Sequence, residues 1–154
     1  MRLTVIAVGR LKERFWREAA DEYLKRLGPY ATLRVVEVDD RDSGRDRSRA
    51  LAEEGADVVR AIPDGAHVIA LEIDGRQLSS EQFAARLGQL ALDGRSNIAF
   101  IVGGSVGLSA EVSKRADERL SLGAMTLPHN LARVVLLEQV YRAFRINRGE
   151  PYHK

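Results

Sequence analysis

Apolar positions 3, 5 and 7 alternate with their neighbours as the chain runs toward Val8-Gly9, so residues 2 to 8 are predicted to form a strand ended by glycine. The period then changes to that of a helix. Phe15, Ala19, Tyr23 and Leu27 recur every fourth position with Trp16, Ala20 and Leu24 beside them, which predicts an amphipathic helix over about 13 to 27, stopped by Gly28-Pro29, with its aromatic residues in the core. Residues 31 to 38, ATLRVVEV, are a second β-rich run. Residues 39 to 47, DDRDSGRDR, mix both charges and bury nothing, so they predict a loop whose arginines are candidates for RNA contact and whose aspartates argue for plain solvation. Leu51, Gly55, Val58, Val59 and Ile62 trace another helix up to the turn signature Pro63-Asp64-Gly65. Residues 68 to 73 are apolar except for Glu72, as in a strand covered on both faces. Ser79 and Gln82 then stand at capping-box spacing ahead of a helix that runs to Leu92.

Asp93-Gly94-Arg95 turns the chain into a fourth strand over 98 to 102, followed by Gly103-Gly104-Ser105-Val106-Gly107, a short helix, and a further apolar run over 122 to 127, LGAMTL, which reads as a strand broken by Gly123. After Pro128 a long helix is expected from about 131 to 146, its broad apolar face serving as core or as a dimer interface, and then a short polar tail, NRGEPYHK. Strands alternating with helices throughout imply an α/β fold, one domain over 1 to 154 built on a mostly parallel sheet with helices on both faces. In such sheets ligands sit outside the carboxyl ends of the strands, here residues 71 to 73, 103 to 104 and 125 to 128.

The glycine cluster is explained equally well as a tight turn and as a place where a ligand reaches the main chain. Two common nucleotide fingerprints do not fit it. A phosphate-binding P-loop carries Lys-Ser or Lys-Thr after its last glycine, whereas Gly107 is followed by Leu108-Ser109. A dinucleotide site needs G-x-G-x-x-G and an acid about 20 residues on, at the end of the next strand, and the run 122 to 127 contains none.

Composition narrows the remaining classes. A chain of 154 residues with 45% hydrophobic and 30% charged positions suits one soluble domain, and no apolar run approaches the roughly 18 residues that span a bilayer. The start, MRLTVIAVGR, suits a first strand better than a secretory signal. There is no cysteine, and His67, His129 and His153 are not spaced as a ligand cluster, so a cytoplasmic, metal-free protein is expected. Net charge is only +2, but Arg133, Arg142, Arg145, Arg148, His153 and Lys154 face only Glu138 and Glu150 in the last stretch, which is either a nucleic-acid footprint or a solvated helix face.

The stretches LTVIAVGRLKERFW, EYLKRLGPY, LEIDG, IVGGSVGLS, LSLGAMTLPH and RVVLLEQVYRAFRINRGEPYHK together resemble one family over essentially the whole chain: the bacterial large-subunit rRNA pseudouridine methyltransferases of the SPOUT class, which make N3-methylpseudouridine. The resemblance implies a C-terminal trefoil knot that seats S-adenosylmethionine, and a homodimer packed through the last helices. It places the cofactor contacts on Leu71, Gly103, Leu122, Gly123, Ala124, Met125, Thr126 and Leu127. The residues allow this: the three leucines could sandwich an adenine while backbone groups read its edge, and Gly123 inside an apolar run points to close approach of another group. Apart from the resemblance, ordinary core packing is the better explanation of the leucines.

Methylation of a uracil-type N3 in rRNA needs alignment and removal of one proton, with no metal. His153 is the candidate proton acceptor and His129 a second; Tyr152 would position the base, and Arg142 would hold phosphate or charge developing on the base carbonyls. Assembled ribosome as the substrate is implied by the resemblance alone. The competing readings are a non-catalytic RNA-binding module of the same fold and a nucleotide-dependent oxidoreductase or hydrolase.

Overall fold

The computed structural model describes residues 1–41, 44 and 46–152. Ten elements follow in order: β1 (Arg2–Val8), α1 (Arg14–Leu27), β2 (Thr32–Val38), α2 (Arg47–Ala61), β3 (His67–Gln77), α3 (Ser80–Leu92), β4 (Asn97–Val102), α4 (Ala110–Arg115), β5 (Glu118–Ser121) and α5 (His129–Asn147). The strands form one parallel sheet in the order β2-β1-β4-β3-β5.

Alternation along the strands sorts side chains to two faces. Leu3, Val5, Phe100 and Ile69 pack against Leu27, Leu87, Leu90, Leu136 and Val140 of α1, α3 and α5. Ile6, Val8, Ile101 and Val68 pack against Val58 of α2 and Val112 of α4. Helices therefore cover both faces, which is why the central strands read as continuous apolar runs. Ser79 and Gln82 make the expected capping box ahead of α3. Asp46 accepts a hydrogen bond from the Arg49 amide at 2.9 Å and caps α2. No helix of the described residues is long and apolar enough to cross a membrane.

Three expectations are corrected. The last strand is Glu118–Ser121, while residues 122 to 127 form a loop. Gly123 at φ +133° turns the chain out of the sheet, and the apolar character of the run comes from lining a cavity instead. Only Leu120 and Ser121 of β5 are buried, so its pattern is faint. Strand β3 does not stop near 73 but continues to Gln77 through a bulge, Leu71 and Arg76 both pairing with Leu120. Phe15 is not core: it is 62% exposed, and the buried stripe of α1 is Ala20 and Leu27.

Candidate functional site

The crossover from β1 leads to β2 on one side and that from β4 leads to β5 on the other, so the strand order reverses beside β4, where α/β sheets open a crevice. A cavity of about 700 Å³ lies there. One wall is the turn after β4, where the Gly107 amide donates to the Gly104 carbonyl at 3.2 Å with Gly107 at φ +81°. A methyl group on Gly103 would stand 2.8 Å from the Gly107 carbonyl oxygen, so the strand and its own turn approach too closely for any side chain. The second wall is the β3 bulge, pressed so tightly on β5 that a Cβ on Gly75 would lie 2.7 Å from the Leu120 backbone. The third is the loop after β5. It is pinned by Ser121, whose Oγ accepts from the Gly123 amide at 3.1 Å and donates to the Gly123 carbonyl at 3.0 Å. His129 and Ala132 of α5 complete the lining.

Of the sequence-predicted cofactor residues, Leu71, Gly103, Leu122, Gly123, Met125, Thr126 and Leu127 line this cavity, and Ala124 does not. No other part of the chain lies within 4 Å of a Cβ built on Gly123, and its φ of +133° by itself calls for glycine. Met125 stands at the rim, 85% exposed. Glu72 and Asp74 on the bulge give the lining an acidic side. The Ser113 hydroxyl donates to Glu72 Oε1, whereas Glu72 Oε2 is buried without a hydrogen bond and 3.8 Å from Arg119 Nε.

The predicted catalytic residues gather elsewhere. Arg142 grips Glu138 Oε1 through Nε at 2.9 Å and Nη2 at 2.6 Å, and its guanidinium lies 4.7 Å from the centre of the Tyr152 ring. The Tyr152 hydroxyl donates to the same Oε1 at 3.2 Å, and its ring meets Tyr141 edge-on at 4.9 Å. Burial, and then the Glu138 charge, push the Tyr152 phenol above its ordinary pKa, while the Glu138 hydrogen bond raises that of Arg142. His153 lies outside the described residues. At about 1.5 Å per residue, Arg142 is roughly 15 Å along α5 from Ala132, and Glu138, Arg142 and Tyr152 are not in the cavity lining.

The basic end is largely committed inside the molecule. Arg133 is 3% exposed and donates to Glu37 Oε2 at 2.8 Å and to the Gly9 carbonyl at 2.9 Å. Arg145 pairs with Glu150 and donates to the Tyr30 hydroxyl at 2.9 Å, and Arg148 stacks 4.5 Å over the Tyr30 ring. In the charged loop, Arg41 donates to Asp57 on α2 at 2.7 Å, while Asp42, Ser43 and Arg45 lie outside the described residues.

A family model described as "Predicted SPOUT methyltransferase" matches residues 1–153. The chain belongs to the SPOUT methyltransferases. It is 52% identical over the full length of both chains to a Bacillus thuringiensis protein (strain Al Hakam) named "Ribosomal RNA large subunit methyltransferase H". A Listeria monocytogenes serotype 4a protein (strain HCC23) of the same name is 53% identical, again over all of both chains. Among solved structures, TrmJ from Z. mobilis ZM4 superposes with a TM-score of 0.57 over 100% of this chain and 73% of its own, at 16% identity. A probable methylase family protein from Haemophilus influenzae Rd KW20 also gives 0.57, over 96% of this chain and 66% of its own, at 14% identity. At such identities the two structures speak for the fold alone.

Sequence reasoning missed two residues of this SPOUT methyltransferase cavity that had a visible signal. Glu72 is the single charge in an otherwise apolar strand, and Asp74 precedes a glycine in the same strand. Gly75 and Gly103 carried no signal for their real reason, since both are set by backbone from a distant part of the chain.

Proposed function

We propose that this SPOUT methyltransferase moves the methyl group of S-adenosylmethionine to N3 of a pseudouridine in large-subunit ribosomal RNA, as a cytoplasmic homodimer acting on the assembled ribosome. The observation that carries the reading is the cavity at the β4 end: large enough for a cofactor, apolar on the side of Leu71, Leu122 and Leu127, edged by main chain at Gly103, and acidic at Glu72 and Asp74. That donor set fits S-adenosylmethionine. The leucines would clasp a flat aromatic base, the backbone would supply hydrogen bonds to its edge, and Glu72 Oε2, buried without a hydrogen bond, would favour a hydroxyl donor. The names of the full-length relatives support the RNA substrate, and the implied knot would lie in the C-terminal segment.

When bound, S-adenosylmethionine supplies a methyl group already activated on a sulfonium. The chain's own task is to hold the base, exclude water and take the N3 proton. His129 stands at the cavity, and His153 follows directly on Tyr152. Arg142 and Tyr152 form a preassembled pair of cation and aromatic ring, suited to holding a base and the charge that develops on its carbonyls. Because neither member of that pair lines its own chain's cavity, a second copy packed on the half-buried outer side of α5 would be what supplies it.

Calorimetry with S-adenosylmethionine, paired with mass spectrometry of rRNA from cells with and without the gene, tests the reading. Micromolar binding and a methylpseudouridine that vanishes with the gene are expected. Failure to bind the cofactor would leave a non-catalytic RNA-binding module in its place.

A further inference from the structure

Arg133 and Arg145 are committed to carboxylates inside the molecule, whereas residues 10 to 17 carry a dense set of exposed cations. Within these eight positions, RLKERFWR, four cations face one acid, Glu13, and two aromatic residues are interleaved. The corner is held in shape by Arg17, whose Nη1 donates to the Leu11 carbonyl at 3.2 Å and to the Lys12 carbonyl. Arg10 and Lys12 are exposed, and neither forms an ion pair among the described residues. Arg14 shares Glu18 at 2.6 Å, both side chains lying well out in solvent. Phe15 is 62% exposed, yet its ring rests on Trp16 at 5.1 Å between centroids, so it is an aromatic surface already ordered before any partner arrives.

Position links this corner to the cavity. Gly9 precedes it, and a Cβ on Gly9 would lie 3.6 Å from Cε1 of His129, which lines the cavity. The carboxylates on the same edge are Asp40, about as close to Gly9, and the exposed Asp39.

We propose that the β1–α1 corner is the surface that holds single-stranded RNA at the mouth of the cavity, Arg10 and Lys12 gripping phosphates and Phe15 stacking on an unpaired base. The inference rests on the proposed rRNA substrate. N3 lies on the Watson–Crick edge, so a base methylated there is unpaired at that moment, and its neighbours are available to an aromatic platform. An aromatic ring accepts any base, and two lysine-type or arginine-type contacts add salt-dependent affinity without sequence preference.

The test uses the full chain, fluorescein-labelled and titrated with ribosomes from cells that lack the gene across about 50 to 200 mM salt, and S-adenosylmethionine titrated separately by calorimetry. Reversing both charges, Arg10→Glu with Lys12→Glu, is expected to weaken RNA binding tenfold or more and to lower the log–log salt slope by about 1.4, at roughly 0.7 per single-strand phosphate contact. Phe15→Ala is expected to weaken binding roughly tenfold with the slope unchanged. Both variants should bind S-adenosylmethionine as the parent does. Arg10→Ala with Lys12→Ala serves as a milder pair and circular dichroism checks its folding.

A parent protein that does not hold the ribosome at low salt, or variants that match its affinity and slope, would overturn the inference. So would a Phe15→Ala protein that keeps its RNA affinity while its mass in solution changes, since Phe15 would then be a subunit contact. These failures are separable from failure of the proposed function. Loss of cofactor binding in the parent sinks that reading and leaves the RNA surface standing, whereas intact cofactor binding with unaffected variants does the reverse.

Discussion

Gly103 shows how a single position carries the cavity wall. A methyl group there would overlap the Gly107 carbonyl oxygen, 2.8 Å away, and backbone cannot swing aside as a side chain does. We expect Gly103→Ala to cost about 1–3 kcal/mol in denaturant unfolding and to weaken S-adenosylmethionine binding by calorimetry. Gly94→Ala is the matched control: its φ of +77° makes alanine strained, at about 1–2 kcal/mol, but the site is open and far from the cavity, so cofactor affinity should hold. Equal loss of affinity in the two variants would mean that the turn is not the wall we describe.

Glu118 is a second residue whose role reads out by titration. Burial pushes its carboxyl upward, but hydrogen bonds from Arg86 and His67, the latter at 2.7 Å, outweigh this and hold the pKa below the usual 4.5. A lowered folded pKa means that the unfolded chain binds more protons near and below 4.5, so this stabilisation is present above that pH and is lost as pH falls through the folded value. Glu118→Gln should therefore cost about 1.5–3 kcal/mol near neutrality, with the gap to the parent closing in acid; a gap independent of pH would contradict it. Glu54 runs the opposite way. Burial raises its pKa above 4.5 despite the hydrogen bond from the Arg41 amide, so it erodes stability as pH climbs above that value.

Among the elements, α3 was the most legible from sequence. Its cap, its apolar face and its stop signal agree, so local chemistry and tertiary packing ask for the same thing. Ser79→Ala removes the hydrogen bond that its hydroxyl accepts from the Gln82 amide, leaving the one from the Ser79 amide to Gln82 Oε1, and should cost about 1 kcal/mol in thermal unfolding without altering methyl transfer, since Ser79 does not line the large cavity. Strand β5 was the least legible. It is four residues long on the sheet edge and pairs only with β3, whereas the apolar loop after it imitates a strand. Period and propensity cannot distinguish an apolar run that lines a cavity from one that enters a sheet. Helix α5 stands between these cases: its existence was plain, but nearly every position is at least half-buried because it lies against both α1 and α3, so its amphipathic pattern is weak.

For the whole molecule, the separation of the Tyr152 cluster from the cavity gives a strong test of assembly. If each site is completed by a second copy, a cavity variant such as Gly103→Ala and a tail variant such as Tyr152→Ala, each inactive alone, should recover methyl transfer when mixed, because a mixed dimer holds one intact site. Light scattering should show the dimer, and failure of the mixture to recover activity while dimers exchange would place the site within one chain. RNA affinity belongs to the same scale, since it reflects the field of exposed cations and not the count of basic residues.

The sequence by itself determined the α/β class, the helices on both faces, the caps and stops, and the family, because these follow from local periodicity and from motifs contiguous along the chain. It also marked Leu71, Gly103 and most of 122 to 127 as one group, which the structure gathers around one cavity. Only the tertiary structure decided that 122 to 127 leaves the sheet, that Gly103 and Gly75 are dictated by distant backbone, that Arg133 is a buried anchor, and that Phe15 faces solvent beside free cations. Each of those depends on which atoms stand opposite across the fold, and a composition or a spacing along the chain does not record its partners.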